Sequence, residues 1–168
     1  MTVSEQGTPH LNMLIRRVRA DASRANDKAK DLYKRRRPYI ALGDTSCTPA
    51  EKHKGDSYPS GHTSIGWAWA LVLAEVAPDR ADKIFARGLA FGESRMVCGV
   101  HWKNDVEAGR VVGAMAVVGV VYVLWGWSMS YGEAGTGGLV ASPFAQFGLS
   151  GAITDAEFAF ESIPAFLG

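Results

Sequence analysis

The C-terminal third of this sequence contains no lysine or arginine. All 18 basic residues lie at or before Arg110, together with 13 of the 17 acids, so residues 1–110 carry a net charge of +5. Residues 111–168 hold the other four acids and carry −4. Such a break indicates two kinds of segment. We expect a core over residues 1–113 and a hydrophobic, glycine-rich tail over residues 114–168.

Cysteine is also scarce, because only Cys47 and Cys98 are present. They could form one disulfide in an oxidising compartment or remain buried thiols in the cytosol. The N-terminus, MTVSEQGTPHLNM, lacks a basic stretch followed by an apolar one, so no secretory leader is visible. The uncharged run over residues 111–127 has the minimum length of a membrane span, and it suits a buried helix equally well.

Several common catalytic and binding signatures are missing. No Gly-x-Ser-x-Gly, His-Glu-x-x-His or Walker motif occurs. Cys98 and His101 are spaced like metal ligands, but no second pair of ligands follows, so we expect no metal or cofactor. The basic run over residues 34–37 lacks an accompanying aromatic stacking platform, so we expect no nucleic-acid partner.

The patterns that are present favour helices. Few segments alternate with a period of two, whereas apolar residues recur at helical spacing. We predict helices over 9–36, from the N-cap Ser60 to Pro78, over about 80–96, and from Asp105 into the apolar run, with loops over 41–58 and 98–104. The predicted fold class is therefore all-α.

The first cluster of chemical interest is KDLYKRRRP, residues 30–38. Lys30 and Arg37 are seven residues apart, which on one continuous helix places them on the same face. Two converging cations clamp an anion, and the planar guanidinium binds two phosphate oxygens at once. A solvated basic helix is the alternative interpretation.

The second cluster is Pro59-Ser60-Gly61-His62, directly before an apolar run. The N–H groups at a helix start favour negative charge, and Gly61 lets the backbone approach an anion closely. The Ser60 hydroxyl can donate to one oxygen, and His62 can protonate a leaving group. A helix cap with an incidental histidine is the alternative.

The third cluster is Ser94-Arg95, followed after five residues by His101 and after three more by Asp105. An aspartate bonded to one imidazole nitrogen fixes the tautomer and leaves the other nitrogen free to attack. This arrangement favours His101 over His62 as the nucleophile. The alternative is a surface histidine beside an acid at the start of a helix.

Lys-x6-Arg-Pro, Pro-Ser-Gly-His and Ser-Arg-x5-His-x3-Asp, in this order, resemble the superfamily of type 2 phosphatidic acid phosphatases, bacterial acid phosphatases and vanadium haloperoxidases. The flanking stretches GDSYPSGHTSIGWAWALVLAEVAP and GESRMVCGVHWKNDVEAGR are similar to the bacterial class A non-specific acid phosphatases. The resemblance covers about residues 8–113.

This resemblance implies a helical bundle that hydrolyses phosphate monoesters at acid pH through a phosphohistidine, without a metal. Inorganic phosphate or vanadate would occupy the site. His101 would be the nucleophile, Asp105 would orient it and His62 would protonate the leaving alcohol. The phosphate would be held by Lys30, Arg37, Ser60, the Gly61 amide and Arg95. The resemblance implies a periplasmic location and is compatible with homo-oligomers. A disulfide between Cys47 and Cys98 is a hypothesis.

Two features depart from the family pattern. Only 29 residues precede Lys30, where family members carry several further helices, so we expect an N-terminally shortened bundle. The tail is similar, over about 45 residues, to an ammonium transporter fragment, and we interpret the chain as chimeric, without transport function. The alternatives to a phosphatase are a vanadate-dependent haloperoxidase and an inactive or membrane-associated fragment.

Overall fold

The computed structural model describes residues 3–48 and 55–131, with side chains as far as residue 119. These residues form helices and the loops between them, which confirms the predicted all-α class. A short 3₁₀ turn, Pro78–Arg80, precedes the fifth helix. The six α-helices are α1 (Pro9–Arg24), α2 (Asp27–Tyr33), α3 (Pro38–Leu42), α4 (Gly61–Val76), α5 (Ala81–Val97) and α6 (Lys103–Tyr131).

The helix α4 lies at the centre, in contact with α1, α5 and α6. Its buried Ala70 and Leu73 pack with Leu11 of α1 and Ile84 of α5 in one apolar cluster. Trp69 adds a polar tie, because its indole N–H donates to the Ile15 carbonyl of α1 at 3.0 Å. Burial of this apolar surface stabilises the bundle and fixes the helices around α4.

Glycines on α6 allow that helix to approach α4 closely. A Cβ atom added at Gly109 would lie 2.6 Å from the carbonyl oxygen of Ser60, which is shorter than any real contact of this kind. Gly113 lies in the same way against the backbone of Ser64. The two small residues bring the first turn of α4 against α6 and so help to position both helix starts.

The predicted single helix over residues 9–36 is wrong, because α1 and α2 are separate. Asn26, which is buried between them, donates through Nδ2 to the Ala22 carbonyl at 2.6 Å and accepts from Ser64 Oγ at 2.9 Å. After α2 the chain turns through Lys34, whose φ of 43° is left-handed. A polar contact with α4 therefore stabilises the break between α1 and α2.

The other predicted boundaries agree better with the structure. Ser60 is the N-cap of α4, as predicted, and α5 matches the helix predicted over about 80–96. Pro38 follows the helix that was predicted over 9–36, and it occupies the first position of α3. Proline suits that position because the first turn of a helix leaves its N–H groups without intrahelical partners.

The apolar run over residues 111–127 lies within α6, which continues without a break to Tyr131. No helix in the described part of the chain combines the length and the hydropathy that a membrane span requires. The predicted division between residues 113 and 114 stays a prediction. Residues 132–168, which make up most of the predicted tail, lie outside the described residues.

Candidate active site

His101 lies in the connection between α5 and α6 and is almost fully buried, with 3% of its surface exposed. Gly99 turns the chain at a φ of 70°, which a glycine adopts without strain. The amides of Val100 and His101 then both donate to the Arg95 carbonyl, each at 3.2 Å. These bonds hold the connection against the end of α5, with the His101 imidazole inside the protein.

A disulfide between Cys47 and Cys98 also secures this connection. The Cys47 N–H also donates to the Cys98 carbonyl at 3.3 Å, and the Tyr39 N–H donates to the Gly99 carbonyl at 3.2 Å. Of the two alternatives that the sequence left open for the cysteines, the structure therefore has the disulfide.

The contacts of the His101 imidazole define its tautomer. Nε2 lies 3.0 Å from NH1 of Arg37, and a guanidinium can only donate, so Nε2 must offer its lone pair. In the neutral ring the proton is then on Nδ1, which lies 3.6 Å from Asp105 Oδ2 and 3.4 Å from Ser57 Oγ. This is the tautomer that a nucleophilic Nε2 requires.

Asp105 lies in the first turn of α6 and is completely buried. Its Oδ2 accepts from Ser57 Oγ at 2.5 Å and from the Trp102 N–H at 2.9 Å. Its Oδ1 accepts from NH1 of Arg35 at 2.8 Å. Donors on both oxygens prevent the carboxylate from turning, so Oδ2 stays directed at the imidazole of His101.

The surroundings of Asp105 and His101 lower the pKa of both groups. Burial by itself would raise the pKa of Asp105, but the contact with His101, the hydrogen bonds from Ser57 and Trp102 and the charge of Arg35 hold that pKa below its ordinary value. Burial lowers the pKa of His101 despite its contact with Asp105. A lowered pKa keeps the carboxyl ionised and the imidazole neutral to lower pH than usual.

Lys30 and Arg37 converge on one short segment of backbone. Lys30 Nζ donates to the carbonyls of Asp56 and Pro59 at 2.8 and 2.7 Å. Arg37 donates to the carbonyls of Gly55 and Asp56 at 3.1 and 3.4 Å. The predicted reason for their proximity is wrong, because Arg37 lies beyond the end of α2, in extended backbone before Pro38. Burial lowers the pKa of both cations.

The Pro-Ser-Gly-His motif forms the start of α4. Ser60 Oγ accepts from the Thr63 N–H at 3.3 Å and from Thr63 Oγ1 at 2.8 Å, so its own hydrogen is left to donate. The Ser60 N–H donates to the Asp105 carbonyl at 2.9 Å, which joins α4 to α6. A Cβ added at Gly61 would lie 4.0 Å from Cε of Lys30, so this helix start faces the cation.

The remaining two predicted residues lie at helix ends. His62 is exposed in the first turn of α4. Arg95 is half-buried in the last turn of α5, where its guanidinium lies 5.9 Å from the Phe91 ring centre and Nε donates to Ser94 Oγ at 3.4 Å. The link of Arg95 to His101 runs through its backbone carbonyl, and the expected role of its side chain in holding phosphate stays a prediction.

Two residues of this cluster were missed at the level of sequence. Ser57 bonds Asp105 from 48 positions away, and Arg35 does so from 70 positions away. Ser57 stands three residues before Ser60, and Arg35 stands inside the basic run between Lys30 and Arg37. Their proximity to the two motifs was the available signal, but no spacing rule connects either residue to Asp105.

Comparison with protein families matches residues 13–129 to the PAP2 superfamily. The chain is similar to a non-specific acid phosphatase of Providencia stuartii, with 43% identity over 119 residues, 68% of this chain and 48% of that protein. A non-specific acid phosphatase of Salmonella typhimurium is 42% identical over 117 residues, 67% of this chain and 47% of that protein.

A third relative is an acid phosphatase of Zymomonas mobilis, 44% identical over 109 residues, 63% of this chain and 41% of that protein. The chain thus spans about half the length of the curated relatives that it matches.

Proposed function

Because the chain belongs to the PAP2 superfamily, as its three motifs predicted, we propose that it is an acid phosphatase acting on phosphate monoesters through a phosphohistidine. The observation that carries this proposal is the buried His101, whose Nδ1 faces Asp105 and whose Nε2 lone pair faces the guanidinium of Arg37. Nothing in the described residues favours a haloperoxidase, an inactive fragment or a membrane-associated one.

The cations beside His101 would hold the phosphate. Arg37 reaches the attacking nitrogen itself, so a phosphoryl group bound to this guanidinium lies within reach of Nε2. Lys30 and the first-turn amide of Gly61, which lie next to each other, would supply further positive charge, and the Ser60 hydroxyl would donate to the phosphate. Phosphoryl transfer depends mainly on such positioning and charge stabilisation. Arg95, at the end of α5, would complete this set.

The reaction would proceed in two steps. In the first, the Nε2 lone pair of His101 forms a bond to phosphorus while the bond to the alcohol oxygen breaks, and His62 gives that oxygen a proton. Asp105 stabilises the positive charge that develops on the imidazole. In the second, His62 takes a proton from water, the water oxygen bonds to phosphorus, and the P–N bond breaks to release inorganic phosphate.

The protonation states of the pair support activity at acid pH. A histidine nucleophile is lost when it is protonated, and an orienting carboxylate is lost when it is neutral. Because the pKa values of His101 and Asp105 are both lowered, the competent pair persists further into the acid range. His62, which is exposed in the first turn of α4, would supply the proton that the leaving oxygen requires.

Location and ligands follow from the same proposal. The Cys47–Cys98 disulfide favours an oxidising compartment, which supports the predicted periplasmic location. Vanadate, which has the shape and charge of phosphate, would compete for the cations around His101. The charge on the phosphate would be matched by Lys30 and Arg37, so we propose that no metal takes part.

Hydrolysis of a generic aryl phosphate tests the proposal. The chain should release phosphate at acid pH, retain this activity with a chelator present and lose it with vanadate. His101→Ala should abolish the activity, whereas His10→Ala, which removes an exposed imidazole on α1, should not. Undiminished hydrolysis by a folded His101→Ala variant would overturn the assignment.

A further inference from the structure

Arg35 makes a one-sided contact with the orienting aspartate. Its NH1 lies 2.8 Å from Oδ1 of Asp105, and this ion pair joins a guanidinium with 39% of its side chain exposed to a carboxylate that is fully buried. The other oxygen, Oδ2, is the one that faces His101. Arg35 thus bonds the Asp105 oxygen that His101 does not use.

Trp102 holds Arg35 in this position. The Arg35 guanidinium lies 5.4 Å from the centre of the indole ring, within the range of a cation–π contact. The indole N–H donates to the Arg36 carbonyl at 2.9 Å, and the backbone N–H of Trp102 donates to Oδ2 of Asp105 at 2.9 Å. One residue therefore binds both the backbone next to Arg35 and the carboxylate that Arg35 contacts.

The charges around Asp105 show what Arg35 adds. His101 faces the carboxylate from the α5–α6 connection, Lys30 from α2, and Arg35 and Arg37 from the α2–α3 connection. Lys30 and Arg37 are the cations that would bind the phosphate, and the charge of His101 would change during the proposed reaction. Arg35 contacts the Asp105 oxygen that does not face His101. It is the cation of this set that, in the proposed reaction, neither binds phosphate nor changes its charge.

We propose that Arg35 is a positioning residue that holds Asp105 as a carboxylate with Oδ2 towards His101, and so maintains the proton of the imidazole on Nδ1 in acid. The catalytic consequence rests on the proposed phosphatase function. The effect on the imidazole does not, because it concerns only hydrogen bonds within the protein.

The first experiment follows the His101 imidazole by ¹⁵N NMR during a pH titration. In the unmodified protein the neutral ring should show a protonated Nδ1 and an unprotonated Nε2. In Arg35→Gln the Nε2-protonated form should appear as well, and the ring should respond to the titration of Asp105 at higher pH. Arg35→Lys, which keeps the charge, should largely restore the original spectrum.

The second experiment measures the pH dependence of aryl-phosphate hydrolysis. Loss of the Arg35 charge removes a cation that opposes protonation of the coupled Asp105–His101 pair, so the acid limb of kcat/KM should move up by about one pH unit in Arg35→Gln. Activity on that limb should then fall roughly tenfold. KM above the limb should change little, because Arg35 does not lie among the residues proposed to hold phosphate.

Arg36→Gln is the matched control, because it removes the neighbouring charge of the same run. Its guanidinium donates to the exposed Ile40 carbonyl at 3.1 Å and makes no described contact with Asp105. This variant should keep the tautomer and the pH profile of the unmodified protein. On an Asp105→Asn background, Arg35→Gln should have no further effect on the imidazole.

The proposal is overturned if Arg35→Gln retains both the tautomer and the acid limb, or if Arg36→Gln shifts them equally. If Arg35→Gln does not fold, the same NMR titration of Arg35→Lys and Arg35→Met distinguishes the effect of the Arg35 charge from the effect of its side-chain packing. If the unmodified chain hydrolyses no phosphate ester, the proposed function fails, and the NMR titration still tests the role of Arg35.

Discussion

The guanidinium of Arg37 lies 3.0 Å from Nε2 of His101, the nitrogen that we propose attacks phosphorus. Since arginine has no acceptor, this single contact fixes the direction of the imidazole lone pair. It also places a positive charge where the charge of the transferred phosphoryl group would develop. We therefore propose two roles for Arg37, alignment of the nucleophile and stabilisation of the phosphate.

Arg37→Lys should lower kcat/KM for an aryl phosphate by about 10²–10³-fold, although it retains the charge. A lysine ammonium cannot reproduce the planar fork that donates to His101, Val100 and Gly55 at 3.0–3.1 Å. Steady-state kinetics measure the effect, with Arg36→Lys as the matched control. A near-normal kcat/KM in Arg37→Lys would show that charge alone suffices.

Ser57→Ala should destabilise the protein by about 1.5–3 kcal/mol, since it removes a buried hydrogen bond to a charged group. Ser57 is fully buried and donates to Oδ2 of Asp105 at 2.5 Å. Urea denaturation at neutral pH measures the change in the free energy of unfolding. Ser23→Ala, at an exposed position of α1, should change it by no more than about 0.5 kcal/mol. Equal effects at both positions would contradict the buried bond.

Gly109→Ala should destabilise the protein by about 1–3 kcal/mol and reduce phosphatase activity. The new methyl group would lie 2.6 Å from the Ser60 carbonyl, so α4 must move away from α6, together with the helix start that we propose binds phosphate. Gly119→Ala is the matched control on the same helix, because a Cβ there has no neighbour within 4 Å. That control should be neutral or stabilising, since alanine favours helix over glycine.

The stability of the protein should fall as the pH decreases from neutral to mildly acid values. Because the pKa of His101 is lowered in the folded state, the unfolded chain binds a proton at higher pH, and protonation therefore favours unfolding. Denaturation at a series of pH values should give a smaller dependence for His101→Ala than for the unmodified chain. Equal slopes for His101→Ala and the unmodified chain would contradict the buried neutral imidazole.

Protonation of Asp105 should likewise destabilise the folded protein, at lower pH. Its lowered pKa contributes stability above the ordinary carboxyl range, and this contribution is lost as the pH falls through its folded value. Asp105→Asn should therefore be less dependent on pH in the acid range than the unmodified chain. A denaturation series on the two proteins checks this, and identical profiles would count against the ionised, hydrogen-bonded carboxylate.

The sequence alone determined the features that depend on near neighbours. The apolar periodicity predicted the all-α fold class and the extent of α5, and the Ser60 cap marked the start of α4. The four-residue spacing of His101 and Asp105 brought imidazole and carboxylate within 3.6 Å. Such features follow from backbone geometry over one or two turns, so residue type and spacing suffice to predict them.

Only the tertiary structure decided how distant segments meet at the site. The break between α1 and α2 at Asn26 depends on the hydroxyl of Ser64, 38 positions away. Because of this break, residues 9–36 do not form the single helix that the sequence predicted. Ser57 reaches Asp105 because α4 and α6 pack closely at Gly109. Arg35 comes from the α2–α3 connection, and the Ser57 N–H donates to its carbonyl at 2.8 Å beside the same carboxylate. Contacts of this kind arise from the packing of whole helices, which local spacing does not specify.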